Sequence, residues 1–140
     1  MAEDFNLDRF VAAQAPVVEQ VQRELRAGEK RSHWMWFVFP QLAGLGSSAM
    51  ARRYAITSLG EAVAYLRHPV LGPRLVDFTG MVNAVPGRTV HQIFGSPDDL
   101  KFHSSMTLFH RADPAEPGFG TALARYFSGK EDIRTVALLG

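Results

Sequence analysis

Residues 30–41, Lys-Arg-Ser-His-Trp-Met-Trp-Phe-Val-Phe-Pro-Gln, hold both tryptophans of the chain, two of its ten phenylalanines and one of its five histidines. Histidine titrates near neutral pH and is the natural proton carrier there, so His33 is the candidate general base. Trp34 and Trp36 offer faces on which a nucleobase or sugar could stack, and Lys30 or Arg31 offers a charge that could hold a phosphate. The plainer alternative is that both tryptophans anchor a core and His33 is a satisfied polar residue, since large aromatics dominate interiors. Two tryptophans set two residues apart exceed what packing alone needs.

A second segment with chemical potential is Gly44-Leu45-Gly46-Ser47-Ser48, which leads into a short helical stretch, Ala49–Tyr54. A glycine turn feeding a helix start exposes backbone N–H groups and the positive end of the helix dipole, the ordinary recipe for an anion site. Gly46 and Ser47 are the candidate contacts. The turn lacks the Lys-Ser/Thr ending of a Walker A loop and has no βαβ surroundings. Its plainer alternative is a turn followed by a helix cap.

The third segment is Asp98-Asp99-Leu100-Lys101-Phe102-His103-Ser104-Ser105. On a helix, Asp98, Lys101 and Ser105 share one face. Lys101 with Ser104 or Ser105 could pair as base and nucleophile; equally, they could form a polar network with Asp98. Three successive polar residues, His103 to Ser105, cannot all face solvent on a helix. The histidines are scattered without His-x₃-His or HExxH spacing, and the acid pair Asp98-Asp99 is explained by a helix start, so no metal site is expected. No cofactor is indicated.

These three segments define the expected site. Its ligand contacts are Arg31, Trp34, Trp36, Gln41, Gly46, Ser47, Lys101, Ser104 and Ser105, with His33 as proton carrier if there is chemistry. The expected partner is an anionic small molecule, a nucleotide or ribosyl phosphate, with cleavage of an N-glycoside or ADP-ribose-type bond as the reaction that would follow. The alternative is a non-catalytic interaction module that contacts a protein or nucleic acid through the aromatic segment or through an arginine-bearing face, Arg52, Arg53, Arg67, Arg74 and Arg88.

Helices must position these residues. Leu7–Gln14 reads as a first helix, and Val17, Val18, Val21 and Leu25 recur at helical spacing in a second, with Pro16 in its first turn and Gly28 as its stop. Ser58-Leu59-Gly60-Glu61 has capping-box spacing. His68-Pro69 ends the helix it opens, and another runs from Leu71 to Val85. Thr89 caps a short helix stopped by Gly95. Ser96-Pro97-Asp98-Asp99 opens a long one, with Ser96 as cap and Pro97 at the first position. Helices ending at Gly129 and starting at Asp132 complete the chain. Phe37-Val38-Phe39 is the one candidate strand. The expected fold is all-α, a compact single domain of about six to eight mostly short helices.

Composition narrows the function. The chain has 140 residues, 15 basic against 14 acidic, for a net charge of +1. That balance argues against a polybasic nucleic-acid binder. Cysteine is absent, which removes disulfides and thiolate chemistry. The start, Met1-Ala2-Glu3-Asp4, is acidic where a signal peptide would be basic. The longest apolar run, Trp34–Phe39, is far short of the roughly 20 residues of a membrane span. A cytoplasmic location, with no membrane partner, is the expectation.

Leu7-Asp8-Arg9-Phe10, Ala13-Gln14, the whole of residues 30–41, Gly44-Leu45-Gly46, His68-Pro69-Val70-Leu71-Gly72 and Lys101-Phe102-His103-Ser104-Ser105-Met106-Thr107-Leu108-Phe109 together resemble domain-of-unknown-function family 1810, nearly end to end. The resemblance implies a small all-helical bacterial protein and assigns no activity; the label "calpastatin" often given to members does not suit so compact a sequence. A tryptophan-rich segment followed by a later Lys-Phe segment is also similar to NADAR proteins, which implies a hydrolase acting on a nucleotide sugar. The NADAR pattern uses a glutamate that has no counterpart here, so no catalytic residue is carried over.

Overall fold

The computed structural model describes residues 5–140; the acidic start at residues 1–4 lies outside them. Ten helices follow in order: α1 (Asp8–Gln14), α2 (Val18–Ala27), α3 (Met35–Val38), α4 (Ala49–Arg53), α5 (Leu59–Arg67), α6 (Leu71–Asn83), α7 (Val90–Phe94), α8 (Asp98–Ala112), α9 (Pro117–Phe127) and α10 (Ile133–Leu139). The all-α class stands, but the expected six to eight helices become ten among the described residues. The shortfall comes from one-turn pieces such as α3 and α4, too short to show a 3.6-residue period. The candidate strand is corrected as well. Phe37 and Val38 lie in α3, and the β-pairing among the described residues is a single parallel bridge, Leu42 to Ile56.

Capping chemistry explains most boundaries. Ser48, Ser58 and Asp132 each accept a backbone N–H three residues on, and Thr89 forms a full reciprocal box with Gln92. Ser58 forms only half a box, because the Glu61 carboxylate turns away to other partners. The His68 ring Nδ1 accepts from the Val70 and Leu71 N–H groups, which turns the chain from α5 into α6. Pro16 sits in the turn before α2 rather than inside it, and Pro97, not Ser96, occupies the cap of α8.

α9 packs on α6 and α8, α5 on α6 and α8, α2 on α6 and α1 on α3. A phenylalanine cluster forms the centre: Phe39 meets Phe78, Phe94 and Phe102 edge-on, and Phe94 stacks on Phe102 at 4.7 Å. Gly72 lets α6 approach the end of α5, since a Cβ there would stand 2.0 Å from the Leu66 carbonyl oxygen.

One buried carboxylate ties the 30–34 segment to this core. Glu24 on α2 is 4% exposed. It accepts from the Arg31 N–H at 2.7 Å, the Ser32 N–H at 2.9 Å, the Ser32 hydroxyl at 2.6 Å, Trp34 Nε1 at 3.0 Å and the Gln20 amide. Burial by itself pushes this carboxyl up. The bonds from the Ser32 hydroxyl, the Arg31 N–H, Gln20 and the Ser32 N–H outweigh burial and bring it down to about 2 from the usual 4.5.

A carboxyl lowered by folding stabilises the fold above its unfolded pKa and loses that contribution as pH falls toward the folded value. Stability should therefore decline as pH drops from 4.5 toward about 2. Glu24 is expected to supply on the order of 3 kcal/mol of this loss. Urea unfolding across this range checks it: Glu24→Gln should be less stable at neutral pH and lose less on acidification, and an unchanged acid limb in that variant would refute the assignment.

Candidate anion-binding cavity

Arg9 on α1 organises the region where the glycine turn, α4 and α5 meet. Its guanidinium donates from Nε to the Arg53 carbonyl at 2.9 Å, from Nη1 to the carbonyls of Phe5 and Asn6, and from Nη2 to the Ala55 carbonyl at 2.9 Å and Glu61 Oε2 at 3.0 Å. All five of its N–H donors are used. Glu61 Oε1 accepts from the Thr57 N–H and hydroxyl at 2.9 and 2.8 Å. The Glu61 side chain is 2% exposed, so this is a buried ion pair with both charges satisfied.

Beside the clamp lies a cavity of about 500 Å³. Its lining includes Gln41, Gly44 and Gly46 from the turn, Arg52 and Arg53 from α4, and the Arg9–Glu61 pair. Gly44 has φ +97°, a backbone that requires glycine, and a Cβ on Gly46 would stand 2.6 Å from the Ala51 methyl. Gly46 therefore lets the turn lie close on α4, and Gly44 supplies the left-handed backbone of the turn. Arg52 and Arg53 are exposed, and neither has a carboxylate partner among the described residues. Arg53 rests over the Tyr54 ring. Among the described residues of the lining, three arginines stand against one glutamate.

The three sequence segments do meet, though not around one concavity. Ser104 on α8 reaches Gln41 Oε1 at 2.7 Å. Asp98 pairs with Lys30 at 2.8 Å and with Lys101 at 3.5 Å. The Lys101 ammonium sits 5.1 Å from the centre of the Trp36 ring, which is half-buried. Of the expected contacts, Gln41 and Gly46 line the cavity. Trp34 is 0% exposed and bonded to Glu24, so it has no face to offer a ligand; its role is packing. Arg31 is exposed and pairs with Glu29, and Lys30 instead is the lysine that turns inward. His33 and Ser47 are exposed and outside the cavity lining. Ser48 caps α4, which occupies the helix start expected to hold an anion. Ser105 is buried, with its hydroxyl unpartnered among the described residues.

Arg9, Arg53 and Glu61 were not singled out as site residues by their local pattern. The usable signals were the arginine-bearing face that includes Arg52 and Arg53, and the Ser58-to-Glu61 capping spacing, whose acid is diverted to the clamp. No group of three or more metal-ligating side chains occurs among the described residues.

Removing Arg9 would strand a buried carboxylate. Arg9→Met is expected to cost about 3 to 5 kcal/mol in urea unfolding, and Arg9→Met with Glu61→Leu should recover much of it. A loss below about 1 kcal/mol for the single variant would show that the clamp is dispensable.

Comparison with known proteins supports the fold and the family and adds no activity. Among curated proteins none matches the chain. The conserved hypothetical protein Rv1873 from Mycobacterium tuberculosis has a crystal structure that superposes with a TM-score of 0.96, at 64% sequence identity over 98% of each chain. A family model described as "Protein of unknown function (DUF1810)" matches residues 4–139. The chain belongs to the DUF1810 family.

Proposed function

We propose that this protein binds an anionic small molecule, a nucleotide or ribosyl phosphate, in the cavity between the glycine turn and α4. The observation that carries the reading is the pair of exposed guanidiniums, Arg52 and Arg53, beside a cavity of about 500 Å³ whose carboxylate is already neutralised by Arg9. Guanidiniums donate in a fork that matches phosphate oxygens, and a concave site of this size accommodates a ligand as large as a nucleotide.

The reading is of binding rather than turnover. A hydrolytic step on an N-glycoside needs a proton acceptor beside the ligand, and both oxygens of Glu61 are committed to Arg9 and Thr57. His33 lies outside the lining. The second reading, an interaction module, draws on α10, where Ile133 is 83% exposed and Leu138 52% exposed.

A thermal-shift series with ribose 5-phosphate, AMP and ADP-ribose separates the two. A ligand at about 100 times its Kd stabilises by about 2.7 kcal/mol, an upward shift of several degrees for a domain of this size. Arg52→Ala and Arg53→Ala should each weaken binding about tenfold, while melting of the free protein stays unchanged because both side chains are exposed. No response across the panel, or an affinity unchanged from the parent in both variants, would favour the interaction module.

A further inference from the structure

The clamp takes up several of the acceptors beside the cavity. Arg9 takes the carbonyl oxygens of Phe5, Asn6, Arg53 and Ala55 and one oxygen of Glu61, and Thr57 takes the other. The Gln41 carbonyl is taken by the Ile56 N–H at 3.0 Å. These acceptors are engaged by the protein's own groups, and both charged oxygens among them are neutralised.

Gln41 adds a donor. Its side-chain oxygen lies 2.7 Å from the Ser104 hydroxyl, and Lys101 O, the other acceptor within reach of that hydroxyl at 3.0 Å, is the farther of the two. With its oxygen held on α8, the amide turns its NH₂ toward the glycine turn, where Nε2 stands 3.4 Å from the position a Gly46 Cβ would take. That NH₂ has no protein acceptor among the described residues. Arg52, Arg53 and Gln41 all line this cavity.

We infer that the site selects a phosphate monoester in its dianionic form, with Gln41 as a specificity-determining donor and Ser104 as the residue that orients it. The inference rests on the binding proposed above and narrows its ligand class. A dianionic phosphoryl group accepts at every terminal oxygen. A protonated monoester has one terminal oxygen turned into a donor and half the charge for the two guanidiniums, and a diester has lost an acceptor oxygen and a charge to its second ester bond. Among the described residues the charged groups lining this site are Arg9, Arg52, Arg53 and the ion-paired Glu61; Lys101 and Asp98, paired with each other, lie within two turns of Ser104 on α8. No histidine lines the cavity.

Calorimetric titration tests this with two probes, ribose 5-phosphate and its methyl phosphodiester. The monoester's second pKa is near 6, so its affinity should rise about tenfold between about pH 5 and about pH 7.5, while the diester binds weakly and without that rise. Gln41→Glu, which replaces the NH₂ with an acceptor of like charge to the ligand, should cost more than tenfold for the monoester at the upper pH. Ser104→Ala should cost a few-fold and narrow the preference for monoester over diester, a change that simple loss of packing would not produce. Equal affinity for the two probes, or a Gln41→Glu variant that binds like the parent while Arg52→Ala does not, overturns the inference and leaves the anion site standing. Absence of binding by either probe at millimolar concentration overturns both.

Discussion

A carboxylate buried on α2 governs the arrangement of the molecule. Glu24 has no cation against it among the described residues; it is satisfied by backbone N–H groups, a hydroxyl, an amide and an indole N–H. An ionised group in a protein interior persists only when such bonds replace its hydration. Four of these bonds come from consecutive stretches of residues 31–34, so the segment has one way to leave α2 and enter α3. Trp34 is thereby fixed in the core, and Phe39 follows into the phenylalanine cluster. Gln41 then emerges beside α8 with its oxygen toward Ser104.

The second buried carboxylate, Glu61, is solved differently. Its partner is a guanidinium that also closes four carbonyls, so a single side chain joins the residues before α1, the end of α4 and the start of α5. A buried ion pair is weak evidence for stability, because desolvation offsets the attraction. Its consequence here is electrostatic. With Glu61 neutralised, Arg52 and Arg53 line the cavity without a carboxylate partner among the described residues. The Lys30–Asp98–Lys101 group shows the opposite economy, two ammoniums sharing one carboxylate against the faces of Trp34 and Trp36.

Much of the helical layout was legible locally. α1, α5, α6, α7, α8, α9 and α10 follow from apolar spacing, caps and the glycines or prolines that stop them. Short segments were not. Trp34–Phe39 is apolar on every side, which suits a strand and a buried helical turn equally, and only its packing decides between them. The site divides the same way. Gln41, Gly46, Lys101 and Ser104 were visible as polar or permissive residues in unusual settings, but the contacts Gln41–Ser104 and Lys101–Trp36 lie across the chain. Arg9 and Glu61 are 52 residues apart and Gln41 and Ser104 are 63 apart, separations at which no local pattern records a partner.

The amino-acid sequence by itself determined the class of fold, most helix boundaries, the membership of the family and the segments from which a site would be assembled. Those properties depend on neighbours within a turn or two, and residue type and spacing encode them directly. Tertiary structure alone decided which of the aromatic and charged residues became core, which became clamp and which remained free. Trp34 faced inward because Glu24 bonds its indole, Arg9 was consumed by carbonyls, and Arg52 was left without a carboxylate partner among the described residues. The state of a polar group depends on the partners that reach it through space, and those partners came from distant parts of the chain.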